Sequence, residues 1–194
     1  MILMKNIIKE GNELLRKEST DVVLPLSTED KTTLLDMVGY LFNSQNDAKA
    51  KEYGLRPGVG IAAPQIGINK KMFAILCNDL DGKTWLMAVV NPKVVKKSKE
   101  LIYLPGGEGC LSVDRETCGI TPRHQRITVE AYLYNLQNGS IEFKRFELRD
   151  YIAIVFQHEY DHLFGTLYVD TIQDEKNAKA NGLTPLWEIE EEEQ

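Results

Sequence analysis

The chain contains no apolar run approaching the length of a membrane span, so no segment of it reads as a transmembrane helix. Its opening, "MILMKNIIKEGNELLRKEST", turns polar after Ile8 and carries no small-residue cleavage site, so a secretory signal is not expected. Cysteine is scarce and odd in number, at Cys77, Cys110 and Cys118. Three thiols without an export signal do not make a disulfide framework, and a cytoplasmic, reducing setting is expected. An excess of positive charge is also missing. Lys and Arg number 23 against 29 Asp and Glu, a net charge of −6, which argues against a partner held through nucleic-acid phosphates. Internal repeats and Ser/Gly-rich linkers are absent, so the 194 residues are expected to form one domain, 1–194. The final run of like charge, 189–194, reads as a solvated acidic tail.

What is present sorts into helices and strands. Residues 28–46, "TEDKTTLLDMVGYLFNSQN", open on Thr28 as cap candidate and repeat apolar residues at Leu34, Leu35, Val38, Leu41 and Phe42, which is helical spacing. "AKAKEYGLRP" follows as a polar connection. "KKMFAILCN" and "TWLMAVVNPKVV" read as buried strands, each closed by Asn, Asp or Pro. "RITVEAYLYNLQNGSIEFKRFELR" alternates, with Asn138-Gly139 placed for a tight hairpin turn. "RDYIAIVFQHEYDHLFGTL" is a second strong helix, from near Asp150 to near Gly165. The expected fold is α+β: antiparallel strands packed around this helix, with the other helix nearer the N-terminus.

Histidine is as scarce as cysteine, yet two of the three residues, His158 and His162, share one turn of that helix. Four residues make about 1.1 turns, so both imidazoles leave the same face and reach one ion. Glu159 stands one position round, close enough to touch a metal-held water without ligating the metal. This H-E-x-x-H arrangement is that of a metal site with the glutamate as general base. A catalytic site needs a third protein ligand and an open position. The extended metalloprotease pattern would place a histidine where Tyr168 stands, and His124 lies far upstream in the loop-like "TPRHQR". A downstream carboxylate, Glu175 or Glu188, would leave an HExxH-type metallopeptidase as the alternative reading. Cys110 in "GGEGCLSVD" is the other candidate, since a thiolate binds a divalent ion strongly. Taken alone, it reads more readily as a small buried residue than as a ligand.

Three segments occur in order: "GVGIAAPQ" (58–65), "EGCLS" (108–112) and "QHEYDHL" (157–163). Together they resemble the three signature motifs of peptide deformylase, and "GNELLR" and "RITV" resemble the family as well. With extra residues around "NSQNDAKAKEYGLRPG" and a C-terminal part, "NGLTPLWEIE", broken by Gly and Pro, the chain is similar to the longer, Gram-positive-type (type 2) class.

The resemblance implies a single catalytic domain that removes the formyl group from the initiating methionine of nascent polypeptides and releases formate. It implies one divalent metal held by Cys110, His158 and His162, with Fe²⁺ favoured and Ni²⁺, Co²⁺ or Zn²⁺ as substitutes. Glu159 would act as general base and then pass its proton to the leaving amine. The Gln65 side-chain amide and the Leu111 backbone N–H would stabilise the oxyanion. Val59 and Gly60 would meet the substrate main chain by strand addition. Tyr151, Ile154 and Val155, seven, four and three residues before His158, are expected beside the methionine side chain, with core packing as the competing role for the last two. N-formylmethionyl peptides are the implied partners, met at the ribosome; no membrane and no sequence-specific nucleic acid is expected.

Overall fold

The computed structural model of the chain describes residues 1–188. The acidic tail expected at 189–194 lies outside the described residues. Four helices, α1 (Thr28–Ser44), α2 (Asp47–Tyr53), α3 (Asp150–His162) and α4 (Glu175–Ala180), accompany two sheets. The larger sheet has the order β1-β2-β3-β6-β7, from β1 (Gly60–Ala62), β2 (Met72–Asn78), β3 (Thr84–Lys97), β6 (Arg126–Tyr134) and β7 (Ile141–Arg149). All four of its pairings are antiparallel. A small sheet sets β4 (Leu101–Tyr103) between β5 (Arg123–His124) and β8 (Thr184–Pro185). The α+β architecture is as expected.

The alternation along β2 explains the layering. Successive side chains of a strand point to opposite faces. Met72, Ala74 and Leu76 join the apolar cluster that holds Leu34, Met37, Val38 and Leu41 of α1. Phe73, Ile75 and Cys77 join the cluster that holds Ile152, Ala153, Val155 and Phe156 of α3. The sheet is therefore covered on both faces, which is why "MFAILC" is apolar without interruption. Leu34, Met37 and Leu41 are fully buried; each such burial stabilises by about 1.5–3 kcal/mol before entropy is counted. Helix α3 packs across the sheet through Phe156, which meets Phe73 edge-on at 5.0 Å.

Four local expectations need correction. Ser27, not Thr28, caps α1: its hydroxyl accepts from the Asp30 N–H. Residues 47–53 form α2 instead of a polar connection; none of them is buried, so no apolar stripe marks the helix. Strand β3 does not stop at Asn91-Pro92. It continues to Lys97 through a register shift between Val90 and Lys93, and Asn91 takes φ +47° there. Its side chain bonds both the N–H and the C=O of Val22 at 2.8 and 2.9 Å, which offsets the strained backbone. Finally, Asn138-Gly139 is not a two-residue turn. Pairing ends at Tyr134↔Ile141, and only Gly139 of the dipeptide has positive φ. The Asn135 side chain organises this longer loop by accepting from the N–H groups of Gln137 and Asn138.

Helix α3 ends where the sequence places Gly165. There φ is +70°, and a Cβ would lie 2.5 Å from the Arg16 backbone, so only glycine lets the chain leave the helix at this point. Among the described residues, no helix is long and apolar enough to cross a membrane.

Candidate metal centre

Two segments converge on one buried point. Helix α3 supplies His158 and His162, and the loop between β4 and β5 supplies Cys110. One ligand atom from each lies within 4.8 Å of the others. Cys110 Sγ is 3.4 Å from His162 Nε2. Two ligands of one tetrahedral ion, at bond lengths of about 2.3 Å to sulfur and about 2.0 Å to nitrogen, stand about 3.5 Å apart. The donor set and its spacing fit a divalent cation. The charge balance fits one too. Burial alone would lower the His158 pKa, but contacts with Cys110 and Glu108 outweigh it and raise that pKa well above its ordinary value. Burial lowers the His162 pKa well below the ordinary value, with His158 pushing in the same direction, and its Nδ1 is buried without a partner. A divalent cation would be held by these three donors with neither imidazole protonated.

The His158 ring is fixed from behind. Its Nδ1 lies 2.7 Å from Glu108 Oε2, and Tyr168 stacks on it at 5.8 Å. Glu108 is in turn held by Arg123 through a two-pronged ion pair at 2.7 and 2.9 Å, and Arg123 also bonds Asp161. Burial of Glu108 by itself would raise its pKa; Arg123 and His158 outweigh burial and hold it at about 2. The chain Asp161–Arg123–Glu108–His158 therefore orients a ligand by buried, charge-assisted bonds. Glu108 and Arg123 lie 15 residues apart, and position in the sequence alone does not reveal the pairing.

Glu159 is buried beside the ligands, with Oε2 lacking a partner. Burial pushes its pKa up to about 7, opposed by His158 and Arg123 and reinforced by Glu108. Its carboxylate lies over Gly60: a Cβ built there would come 2.3 Å from Oε1. The absence of a side chain at position 60 is what gives Glu159 its place. Gln65 is buried as well. Its Oε1 accepts from the Ala62 N–H at 2.9 Å, and its Nε2 lies 3.3 Å from Cys110 Sγ and 3.2 Å from Ser112 Oγ.

These groups open into a cleft of about 310 Å³ lined by Val59, Gly60, Gln65, Leu111, Tyr151, Ile154, Val155, His158 and Glu159 among others. Every residue expected at the site is brought there, with His162 packed behind the lining. Val155 lines the cleft and also packs in the α3 cluster, whereas Ile154 lines the cleft and belongs to neither of the two large apolar clusters. His124 is not a ligand. Its ring Nδ1 meets the Ser98 carbonyl, and its backbone is bonded on both sides by Gln157. The alternative third ligand also fails: Glu175 meets the Tyr103 hydroxyl at 3.2 Å, and among the described residues no carboxylate joins the cluster.

Comparison with known proteins agrees with this geometry. The family model for polypeptide deformylase matches residues 4–178. A peptide deformylase of Halalkalibacterium halodurans is 50% identical over 173 residues, 89% of this chain and 92% of the relative. Peptide deformylase 2 of Bacillus anthracis is 46% identical over 187 residues, 96% and 99% of the two chains. The crystal structure of a peptide deformylase from Thermotoga maritima superposes with a TM-score of 0.63 at 33% identity, covering 86% of this chain and 96% of that one. A cysteine and two histidines around one buried point, a carboxylate beside them and a family match across nine-tenths of the chain give one conclusion: the chain belongs to the peptide deformylase family.

Proposed function

We propose that the protein hydrolyses the N-formyl group from the initiating methionine of nascent polypeptides, with formate as the second product. Cys110, His158 and His162 would hold the divalent ion, with Fe²⁺ the favoured species and Ni²⁺, Co²⁺ or Zn²⁺ as substitutes. The observation that carries this reading is the convergence of those three donors beside a buried carboxylate that has an unpartnered oxygen. A divalent cation bound there supplies Lewis acidity, lowering the pKa of water from about 15.7 toward about 7.

The chain's own groups do the rest. Glu159 takes the proton of the attacking water on its free carboxylate oxygen and passes it to the nitrogen of the leaving amine. The Leu111 N–H meets the carbonyl oxygen as negative charge builds on it. The Gln65 amide joins by turning one of its N–H groups from Cys110 Sγ or Ser112 Oγ. Removal of one such donor typically costs about 3 kcal/mol in the transition state. Strand β1 is an edge of the larger sheet, with β2 on one side only. Its other edge, around Val59 and Gly60, receives the peptide main chain as an added strand. Tyr151, Ile154 and Val155 flank the methionine side chain, and their burial in the cleft wall excludes water from the reacting centre. Such N termini emerge at the ribosome, so this reading puts the enzyme in the cytoplasm beside it.

The direct test is formate release from a formyl-Met peptide beside an acetyl-Met peptide. Release from the first and not the second is expected, and release from neither rejects the reading. For the Fe²⁺ assignment, iron-loaded protein is expected to lose activity faster in air than under argon, through both the ion and the Cys110 thiolate; equal decay rates count against iron. Glu108→Gln, which keeps the shape but removes the charge facing His158, is expected to weaken metal affinity about 10–100-fold. Competition with a chelator measures this, and an unchanged affinity would remove Glu108 from the account.

A further inference from the structure

The loop that carries Cys110 has no regular secondary structure of its own, yet its carbonyls from 110 to 113 are all engaged. Arg56 Nη2 donates to the Cys110 carbonyl at 3.2 Å, and both of its terminal nitrogens lie 3.5 Å from the Val113 carbonyl. Arg56 Nη1 also bonds Asp114 Oδ1 at 2.6 Å. Lys9 Nζ donates to the Leu111 carbonyl and to the same Asp114 oxygen, both at 2.9 Å. The Glu10 N–H takes the Ser112 carbonyl at 2.8 Å. Arg56 is itself anchored: its own carbonyl accepts from the fully buried Tyr40 hydroxyl at 2.8 Å.

The Cys110 carbonyl and the Leu111 N–H belong to one peptide plane. In a trans peptide these two groups point in opposite directions. The Cys110 carbonyl accepts from the Val113 N–H at 3.2 Å as well as from Arg56, and these two bonds together turn the Leu111 N–H to the other side. Leu111 and Arg56 both line the cleft, and among the described residues no backbone acceptor takes the Leu111 N–H. We propose that Arg56 is a positioning residue that fixes the Cys110–Leu111 peptide plane, so that the Leu111 N–H stays aimed at the developing oxyanion. This deepens the deformylase reading and rests on it. Its physical basis is preorganisation: a donor held in place before the reaction needs no reorientation as charge develops. A guanidinium suits the task because its planar fork holds the Cys110 carbonyl and the Asp114 carboxylate in one fixed relative direction, which an ammonium on a flexible stem does not.

The test uses nickel-loaded wild type beside Arg56→Lys, Arg56→Gln and Asp114→Asn, with kcat, KM, metal content and thermal midpoint measured on each. Arg56→Lys keeps the charge and loses the fork, so it separates positioning from a general electrostatic effect. Both Arg56 variants are expected to keep full metal and a KM within about threefold of wild type, while kcat falls about 10–100-fold. Asp114→Asn, which leaves the bond to the Cys110 carbonyl in place, is expected to lose less than Arg56→Gln. Wild-type kcat in Arg56→Lys overturns the inference. So does a loss of kcat that merely tracks lost metal or a lowered thermal midpoint. Failure of the wild type to release formate overturns the deformylase reading and takes this inference with it; the two failures are thereby distinct.

Discussion

Glu159→Gln is expected to keep one metal ion per chain and to lower kcat/KM by about three orders of magnitude. The size follows from the role, since a positioned general base typically contributes about 10²–10⁴-fold. Glutamine matches glutamate in shape, so the helix turn that carries His158 and His162 stays as it is. The carboxylate is not among the converging donors, so the ion has no reason to leave. Stability is expected to hold or to rise. A buried carboxylate with an unpartnered oxygen carries a desolvation cost that an amide lessens. Metal analysis, formate-release kinetics and a thermal melt on one preparation separate the alternatives. Metal lost together with activity would make Glu159 a ligand, and full activity without the carboxylate would make the ion structural.

Gly60→Ala is expected to be nearly as damaging, for a different reason. Position 60 does not need glycine for its backbone: φ there is not positive, so alanine brings no backbone strain. The conflict is with Glu159. An added Cβ would lie 2.3 Å from Oε1, 2.6 Å from Cδ and 2.7 Å from Cγ. The carboxylate is buried between strand and helix and cannot swing into solvent, so it must shift by roughly an ångström. A misplacement of about that size typically costs about 10²-fold in rate. Metal affinity is expected to stay within a few-fold of wild type. The double variant Gly60→Ala/Glu159→Ala isolates the cause: once Glu159 is gone, the added methyl should cost almost nothing further. Equal losses in both backgrounds would assign Gly60 to substrate binding alone.

The parts of this arrangement that were legible in the sequence share a physical trait, which is that they are local. His158, Glu159 and His162 lie within a single helical turn, and the helix period alone brings the two imidazoles together. Helix α1 shows its buried face in the spacing of Leu34, Val38 and Leu41, and β6 shows its own by alternation. Helix α2 has no buried residue and so leaves no pattern to read. Strand β3 passes a proline because the Asn91 side chain substitutes for backbone partners at the bulge, a compensation made 69 residues away in sequence. Cys110 reaches the imidazoles across a separation of 52 residues, and no spacing rule links a loop thiol to a distant helix. What points to it is the resemblance carried by the three motifs. The supporting groups Glu108, Arg123, Arg56 and Lys9 stayed unassigned for the same reason: each acts through a contact that only the folded chain creates.

The central claim is that one ion is gripped by a sulfur and two imidazoles. X-ray absorption at the zinc edge of zinc-loaded protein tests it most directly. The account predicts one sulfur scatterer at about 2.3 Å and imidazole nitrogens at about 2.0 Å, with the sulfur shell lost in Cys110→Ser. A shell of nitrogen and oxygen alone, with the Cys110 thiol still free to react with an alkylating reagent, would contradict it.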